Sequence, residues 1–235
     1  MTEKWQIRDA DQFNPAAVRA VVFDFDGTLA ETNIDFALMR QRVLEVAARW
    51  GLTDHLDERR YILEIVDDAL EMLPGTGDRE CFFEEAAKAM SDVELISTSV
   101  ASPFPRVPEM LERLRECGVR VGIITRNCRL GVESVFSRHP LSHEVLLTRD
   151  DVERVKPDPA HLHEALEVLG VAPSEALMVG DHITDIEVGH AARTWTAGVL
   201  TAKTTREEFV EMGAHLILES AAEVTEILCL QDGED

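Results

Sequence analysis

The chain has 235 residues, 45% hydrophobic and 29% charged. That is enough apolar material for one large domain, or a domain with a smaller one inserted, and too much for a disordered chain. Acidic residues outnumber basic ones 45 to 23, a formal net charge of -22 that repels polyanions and argues against nucleic-acid binding through a general basic surface.

A small phosphorylated molecule stays compatible with this charge if a metal ion and a local basic residue hold it. Cys81, Cys117, Cys128 and Cys229 have no metal-ligand spacing, and nothing in their pattern points to a disulfide framework. Met1 to Asn14 carries no apolar signal core, and no apolar run reaches membrane-spanning length. The expectation is a cytoplasmic protein without a membrane partner; oligomeric state is not legible.

Residues 1–19 read as an extension packed on the domain. Ala20-Val21-Val22-Phe23 reads as a buried strand of a parallel sheet, running into Asp24, Asp26 and a Gly27-Thr28 turn. If strand geometry persists, the two carboxylates face the same way at the strand tip, where open α/β sheets place ligands. Such acids repel unless a divalent cation, a shared proton or a basic side chain separates them. The bland alternative is a pair of solvated, turn-initiating aspartates.

Residues 31–102 change character and read as an all-helical insert. One stripe joins Phe36, Met39, Val43, Val46, Ala47 and Trp50, with Gly51 as a C-cap. A second helix spans 58–73, with Ile62, Ile65, Val66, Ala69 and Leu70 inward, and a third spans 78–90. No strand is expected here. Pro74-Gly75-Thr76-Gly77 lacks the lysine of a phosphate loop and reads as an inter-helix turn. Ser97 to Pro108 reads as a connector. Tethered at two points, the insert can rock over the strand tips as a lid.

Alternation of strands and helices then resumes. Helices are predicted at 109–117, 130–138, 160–169, 183–192, 207–212 and 221–230, and strands at 119–125, 144–148, 176–180, 195–200 and 214–218. The fold class is α/β: a Rossmann-like parallel sheet sandwiched by helices, residues 1–30 and 103–235, with the helical insert as a cap domain.

Three later strand ends and loops carry polar groups. Thr125-Arg126-Asn127 offers a hydroxyl, a guanidinium and an amide. Lys156 precedes Pro157-Asp158-Pro159, which keeps it outside the following helix. Asp181 ends a strand, and Asp185 lies on the first turn of the next helix, where it also suits the helix dipole. Hard oxygen ligands at strand tips suit Mg²⁺. His182, His161 and His163 read as surface residues rather than ligands.

These motifs resemble the haloacid dehalogenase (HAD) superfamily, in its phosphoglycolate phosphatase-like branch, from Ala20 to about Leu218. Asp24-Phe25-Asp26-Gly27-Thr28 matches the first motif, Thr125 the second, Lys156-Pro157 the third, and Gly180-Asp181 through Asp185 the fourth. The resemblance implies a HAD-like core with a cap, and a Mg²⁺-dependent phosphatase acting on a small phosphorylated metabolite. It implies Asp24 as the nucleophile that forms an aspartyl-phosphate, and Asp26 as the general acid/base. The ion would be held by Asp24, the Asp26 main-chain oxygen, Asp181 and Asp185. Thr125 and Lys156 would bind the phosphoryl group, with Gly27, Arg126 and Asn127 lining its site.

A phosphomutase shares this catalytic set, and a non-catalytic phospholigand-binding or interaction module could use the same fold. Asp26 argues against a dehalogenase and a phosphonate hydrolase, which lack an acid at that position as the family is understood. Substrate specificity is expected from insert residues facing the site, near Asn33, Asp35, Arg40 and the second connector.

Overall fold

The computed structural model describes residues 6, 7 and 13–229. Two compact units are present, Met1–Thr32 with Ala101–Asp235, and Asn33–Val100.

The first unit is a seven-stranded sheet. Its order is β1 (Gln6–Ile7), β9 (Leu216–Leu218), β8 (Trp195–Val199), β7 (Ala176–Gly180), β2 (Ala20–Phe23), β5 (Arg120–Ile124) and β6 (Val145–Leu147). All pairings are parallel except β1 with β9. The edge strand β1 shows where part of the expected N-terminal extension goes; the remainder before Phe13 lies outside the described residues.

Every residue of β2 is buried, because both sheet faces are covered. Val21 and Phe23 point into one cluster with Val121, Ile123, Leu177 and Val179. That cluster includes Leu111 and Leu114 of α4 (Val107–Glu116) and Val132 and Val135 of α5 (Arg129–Phe136). Ala20 and Val22 point the other way, with Ile124 and Met178, onto α6 (Pro159–Leu169) and α7 (Ile183–Ala192). Alternation along each strand thus builds two cores from one sheet.

The predicted elements of this unit are present, with ends shifted by a few residues. Two short strands were not expected. β3 (Ala30–Glu31) and β4 (Ser102–Pro103) pair antiparallel where the chain leaves and re-enters the sheet unit. Two-residue strands carry too little pattern to be read from sequence. The terminal segment is a 3-10 turn, Ala221–Glu223, followed by α9 (Val224–Leu228), and Leu230 lies outside the described residues.

Cysteine spacing pointed to no disulfide, yet Cys117 and Cys229 are bonded, with Cα atoms 6.0 Å apart. Their sequence separation is 112 residues, and the fold alone brings them together by packing α9 on α4. Local spacing carries no signal for such a pair.

The second unit packs α1 (Phe36–Arg49), α2 (Ile62–Met72) and α3 (Thr76–Thr98) around Val43, Ala47, Ile65, Val66, Phe82, Ala86 and Met90. Phe36 was expected inside but is 56% exposed, because it occupies the first helical position, before the buried stripe begins at Met39. α3 runs past the expected end at Met90 to Thr98, carried on by the buried Val93, Glu94 and Thr98. Pro74–Gly75 is the turn between α2 and α3, with Gly75 at the N-cap.

Burial separates costly positions from cheap ones. Leu111→Ala, inside the main core, is expected to destabilise the sheet unit by about 2–5 kcal/mol, and Ile96→Ala, 69% exposed on α3, by less than about 0.5 kcal/mol. Denaturant titration of each variant against the parent checks both.

Candidate active site

Parallel pairing places Phe23 level with Ile123 on one side and Val179 on the other. The residues that follow, Asp24 after β2, Thr125 after β5 and Asp181 after β7, therefore emerge together at the carboxyl edge of the sheet. The Asp24 N–H donates to the Val179 carbonyl at 2.8 Å, and the Thr125 N–H to the Leu147 carbonyl at 3.0 Å, so each stays tied to the neighbouring strand end.

Lys156 reaches this edge from the loop between β6 and α6. Its Nζ donates to Asp24 Oδ1 at 2.7 Å and to Asp185 Oδ1 at 2.6 Å. Lys156 and Asp185 are 3% and 0% exposed, so both charges are out of water. The Lys156–Pro157 peptide is cis. Asp185 also accepts from the His182 N–H at 3.1 Å through Oδ2, closing a capping box on α7. The dipole-complementing role read from sequence and the contact with Lys156 are thus filled by the two oxygens of one carboxylate.

Asp181 completes the group. One carboxylate oxygen from each of Asp24, Asp181 and Asp185 lies within 4.8 Å of the others, and all three residues are buried. Thr28 Oγ donates to Asp181 Oδ1 at 2.8 Å. Gly27, at φ +83°, leaves Asp181 its room: a Cβ there would stand 2.6 Å from Asp181 Oδ2. A Cβ on Gly180 would overlap the Asp185 carboxylate.

Electrostatics follow from this crowding. Burial, and then the charges of Asp24 and Asp185, push Asp181 well above the ordinary carboxylate range. Burial likewise raises Asp185, against the pull of Lys156 and with a further push from Asp24. Burial opposes the charge on Lys156, but Asp185 and Asp24 outweigh it and hold the ammonium above its usual value. One ammonium does not neutralise three carboxylates. The surplus negative charge and the all-oxygen donor set fit a hard divalent cation.

Asp26 stands outside this cluster. Strand β2 ends at Phe23, and the two aspartates that follow take different partners. Thr125 Oγ donates to Asp26 Oδ2 at 3.0 Å, and Asn127 Nδ2 to Asp26 Oδ1 at 2.8 Å. Thr125 Oγ in turn accepts from the Asn127 N–H at 3.0 Å. Arg126 is half-buried. Its carbonyl accepts from Arg149 Nη1 at 3.0 Å, and its charge, after burial, lowers the pKa of His182.

Three features escaped the sequence reading. Thr28 was read only as part of a turn. His182 is the N-cap of α7 and not simply a solvent-facing residue. His161 was expected at the surface but is 0% exposed. Its Nδ1 accepts from the Lys156 N–H at 3.3 Å, and its Nε2 donates to the Leu147 carbonyl at 3.1 Å. The missed signal was helical spacing, since His161 shares the α6 stripe of Ala165 and Leu169. His163 is exposed as expected. Of the insert residues named for specificity, Asp35 is the N-cap of α1, accepting from the Leu38 N–H at 2.9 Å. Arg40 donates to the carbonyls of Glu58 and Arg60.

Residues 21–199 match the family model described as haloacid dehalogenase-like hydrolase. A pyrophosphatase PpaX of Bacillus cereus is 32% identical over 77% of this chain and 83% of its own. An N-acetylmuramic acid 6-phosphate phosphatase of Pseudomonas aeruginosa is 31% identical over 90% of this chain and 95% of its own. A phosphoglycolate phosphatase of Aquifex aeolicus is 29% identical over 77% and 84%. Among the described residues, no helix is long and apolar enough to cross a membrane.

Burial, and then the charge of Lys156, lower the His161 pKa from 6.5 to about 4, against the hydrogen bond to the Leu147 carbonyl and a smaller pull from Asp151. Between these values the unfolded chain binds the proton that the folded chain refuses. The stability this contributes is therefore complete above pH 6.5 and is lost as pH falls towards 4, by about 3 kcal/mol in all. Urea melts of the parent and of His161→Asn from pH 7 to pH 4 should show the variant losing less stability across that window.

Proposed function

We propose, from the premise that this chain belongs to the haloacid dehalogenase-like hydrolase family, that it is a Mg²⁺-dependent phosphatase of a small phosphomonoester, with Asp24 as nucleophile. The observation that carries the reading is the buried group of Asp24, Asp181 and Asp185 around Lys156, with Asp26 held beside it on separate donors. The residues suited to hold the ion are Asp24, Asp181 and Asp185, with the Asp26 main-chain oxygen. Bound there, Mg²⁺ would supply positive charge against the phosphoryl oxygens.

The roles follow from the chemistry of the side chains. A carboxylate attacking a phosphate monoester is anion against anion, so Lys156 must sit where it offsets charge on both partners. An Asp24 carboxylate oxygen forms a bond to phosphorus as the bond to the leaving oxygen breaks. The departing alkoxide takes its proton from Asp26. Asp26, now a carboxylate, takes a proton from water, whose oxygen displaces Asp24 from phosphorus and releases inorganic phosphate. Thr125 and Asn127 hold Asp26 in place, and Thr125 and Lys156 contact the transferring group.

The names of the relatives support a phosphorylated small molecule as substrate and do not agree on one. Phosphate release should be measured, with and without Mg²⁺, on pyrophosphate, N-acetylmuramic acid 6-phosphate, phosphoglycolate and a panel of sugar and nucleoside monophosphates. Turnover of at least one substrate that stops when the ion is chelated is the expected result. Isomerisation of a sugar phosphate without release would move the reading to a phosphomutase.

Asp24→Asn is nearly isosteric, and should lower kcat by at least about 10³-fold with an unchanged circular dichroism spectrum. Asp26→Asn should cost about 10²–10⁴-fold. Undiminished turnover in the first variant would remove Asp24 as nucleophile.

A further inference from the structure

His161 bonds directly to the loop carrying Lys156, and it uses both ring nitrogens. The Lys156 N–H can only donate, so Nδ1 is the acceptor. The Leu147 carbonyl can only accept, so Nε2 carries the proton. The tautomer is fixed from both sides. The Leu147 carbonyl also accepts the Thr125 N–H at 3.0 Å. One ring thus joins the backbone of Lys156, at 3.3 Å, to the same carbonyl that anchors Thr125 at the end of β5.

Besides His161, the Lys156 segment is held by the bonds of its own Nζ to Asp24 and Asp185 and by the Asp158 N–H, which donates to the Val155 carbonyl at 3.0 Å; His161 is the contact that holds the Lys156 backbone itself. The next residue is Pro157, which has no N–H to contribute, and the segment is followed at once by the Asp158 cap of α6. The Lys156 ammonium meets both Asp24 and Asp185, and the position of the Lys156 backbone sets the reach its side chain must make to do so. His161 lies on α6, packed in the core beside Leu162 and Ala165, and so transmits the position of a rigid element to a loop.

We propose that His161 is a positioning residue for phosphoryl transfer: through its Nδ1 it sets the reach of Lys156 to Asp24 and Asp185, and through its Nε2–H it keeps that reach in register with Thr125. This rests on the phosphatase reading for its consequence on turnover, while its structural half stands on the hydrogen bonds alone. His161 does not touch the reacting atoms.

Three substitutions separate the two contacts. Asn places an amide oxygen near Nδ1 and so can still accept from Lys156. Gln places an amide nitrogen near Nε2 and so can still donate to Leu147 but leaves the Lys156 N–H without its acceptor. Leu removes both. All three leave the parent packing imperfect and should lower the melting temperature, so stability does not discriminate among them.

Amide hydrogen exchange of the full chain is the first readout. Protection of the Lys156 N–H is expected to persist in His161→Asn and to be lost in His161→Gln and His161→Leu, with the amides of β7 unchanged. Equal Lys156 protection in parent and His161→Leu would overturn the proposal without touching the phosphatase reading.

Turnover is the second readout, on whichever panel substrate the parent hydrolyses. His161→Leu should lower kcat by about 10²-fold with KM little changed, since a misplaced lysine acts on charge that develops in the transition state. His161→Asn should recover at least about tenfold of that loss, and His161→Gln should not. Parallel falls in all three variants, tracking their melting temperatures, would reduce His161 to a packing residue and overturn the proposal. A parent that hydrolyses nothing would defeat the phosphatase reading instead, and the exchange result would still decide whether His161 holds Lys156.

Discussion

A single ammonium group among three buried carboxylates is the constraint on which the rest of this structure depends. Removing such charges from water costs several kcal/mol per ion, and a buried ion pair seldom repays that in stability. Lys156 offsets Asp24 and Asp185 by direct contact, whereas Asp181 is left to a neutral donor, Thr28. Burial, and then the charges of Asp24 and Asp185, push Asp181 towards its protonated form against the Thr28 hydrogen bond. A cluster of this kind persists only if its backbone is held by something that does not yield. Here that is a parallel sheet buried on both faces, with β2 between β5 and β7.

The sheet does more than bear the strain. With β2 central, β5 and β6 laid to one side of it and β7, β8 and β9 to the other, three strand tips open onto one edge at the point where the strand order switches, the position where α/β sheets leave a crevice. The glycines at this edge are part of the same arrangement. Gly27 and Gly180 leave the space that the Asp181 and Asp185 carboxylates occupy, so the acids approach the backbone more closely than any side chain would allow.

What could be read from the sequence is what local patterning and the family motifs encode. Strands β7 and β2 were legible because buried parallel strands are continuous apolar runs, and α7 from the alternation of helices with those strands. The acids were legible as acids at strand ends. Lys156 was placed beside them by its family motif and not by spacing, since it meets Asp24 across 132 residues; Thr28, which meets Asp181 across 153, was not placed at all, and no spacing rule spans such distances. The Cys117–Cys229 bond was invisible for the same reason. His161 is a different failure: its place on the buried face of α6 was available from periodicity, but a polar residue type invited a surface assignment.

The two aspartates of the first motif show how neighbours in sequence acquire different chemistry. Asp24 faces an ammonium and other carboxylates, and Asp26 faces the hydroxyl of Thr125 and the amide of Asn127, both neutral donors. A carboxylate accepts only, so Asn127 must present Nδ2 to Asp26, and this turns its own Oδ1 into the interior without a hydrogen-bond partner. An orphaned buried acceptor costs about 1–3 kcal/mol. Turning the amide over would aim Oδ1 at the Asp26 carboxylate, acceptor against acceptor, which is worse. The orphan is therefore the cost of orienting Asp26, and Gly131, where a Cβ would lie 2.6 Å from that oxygen, leaves room for it. The two acids of one motif thus meet different partners, and the phosphatase reading asks different work of them, attack by Asp24 and proton transfer by Asp26.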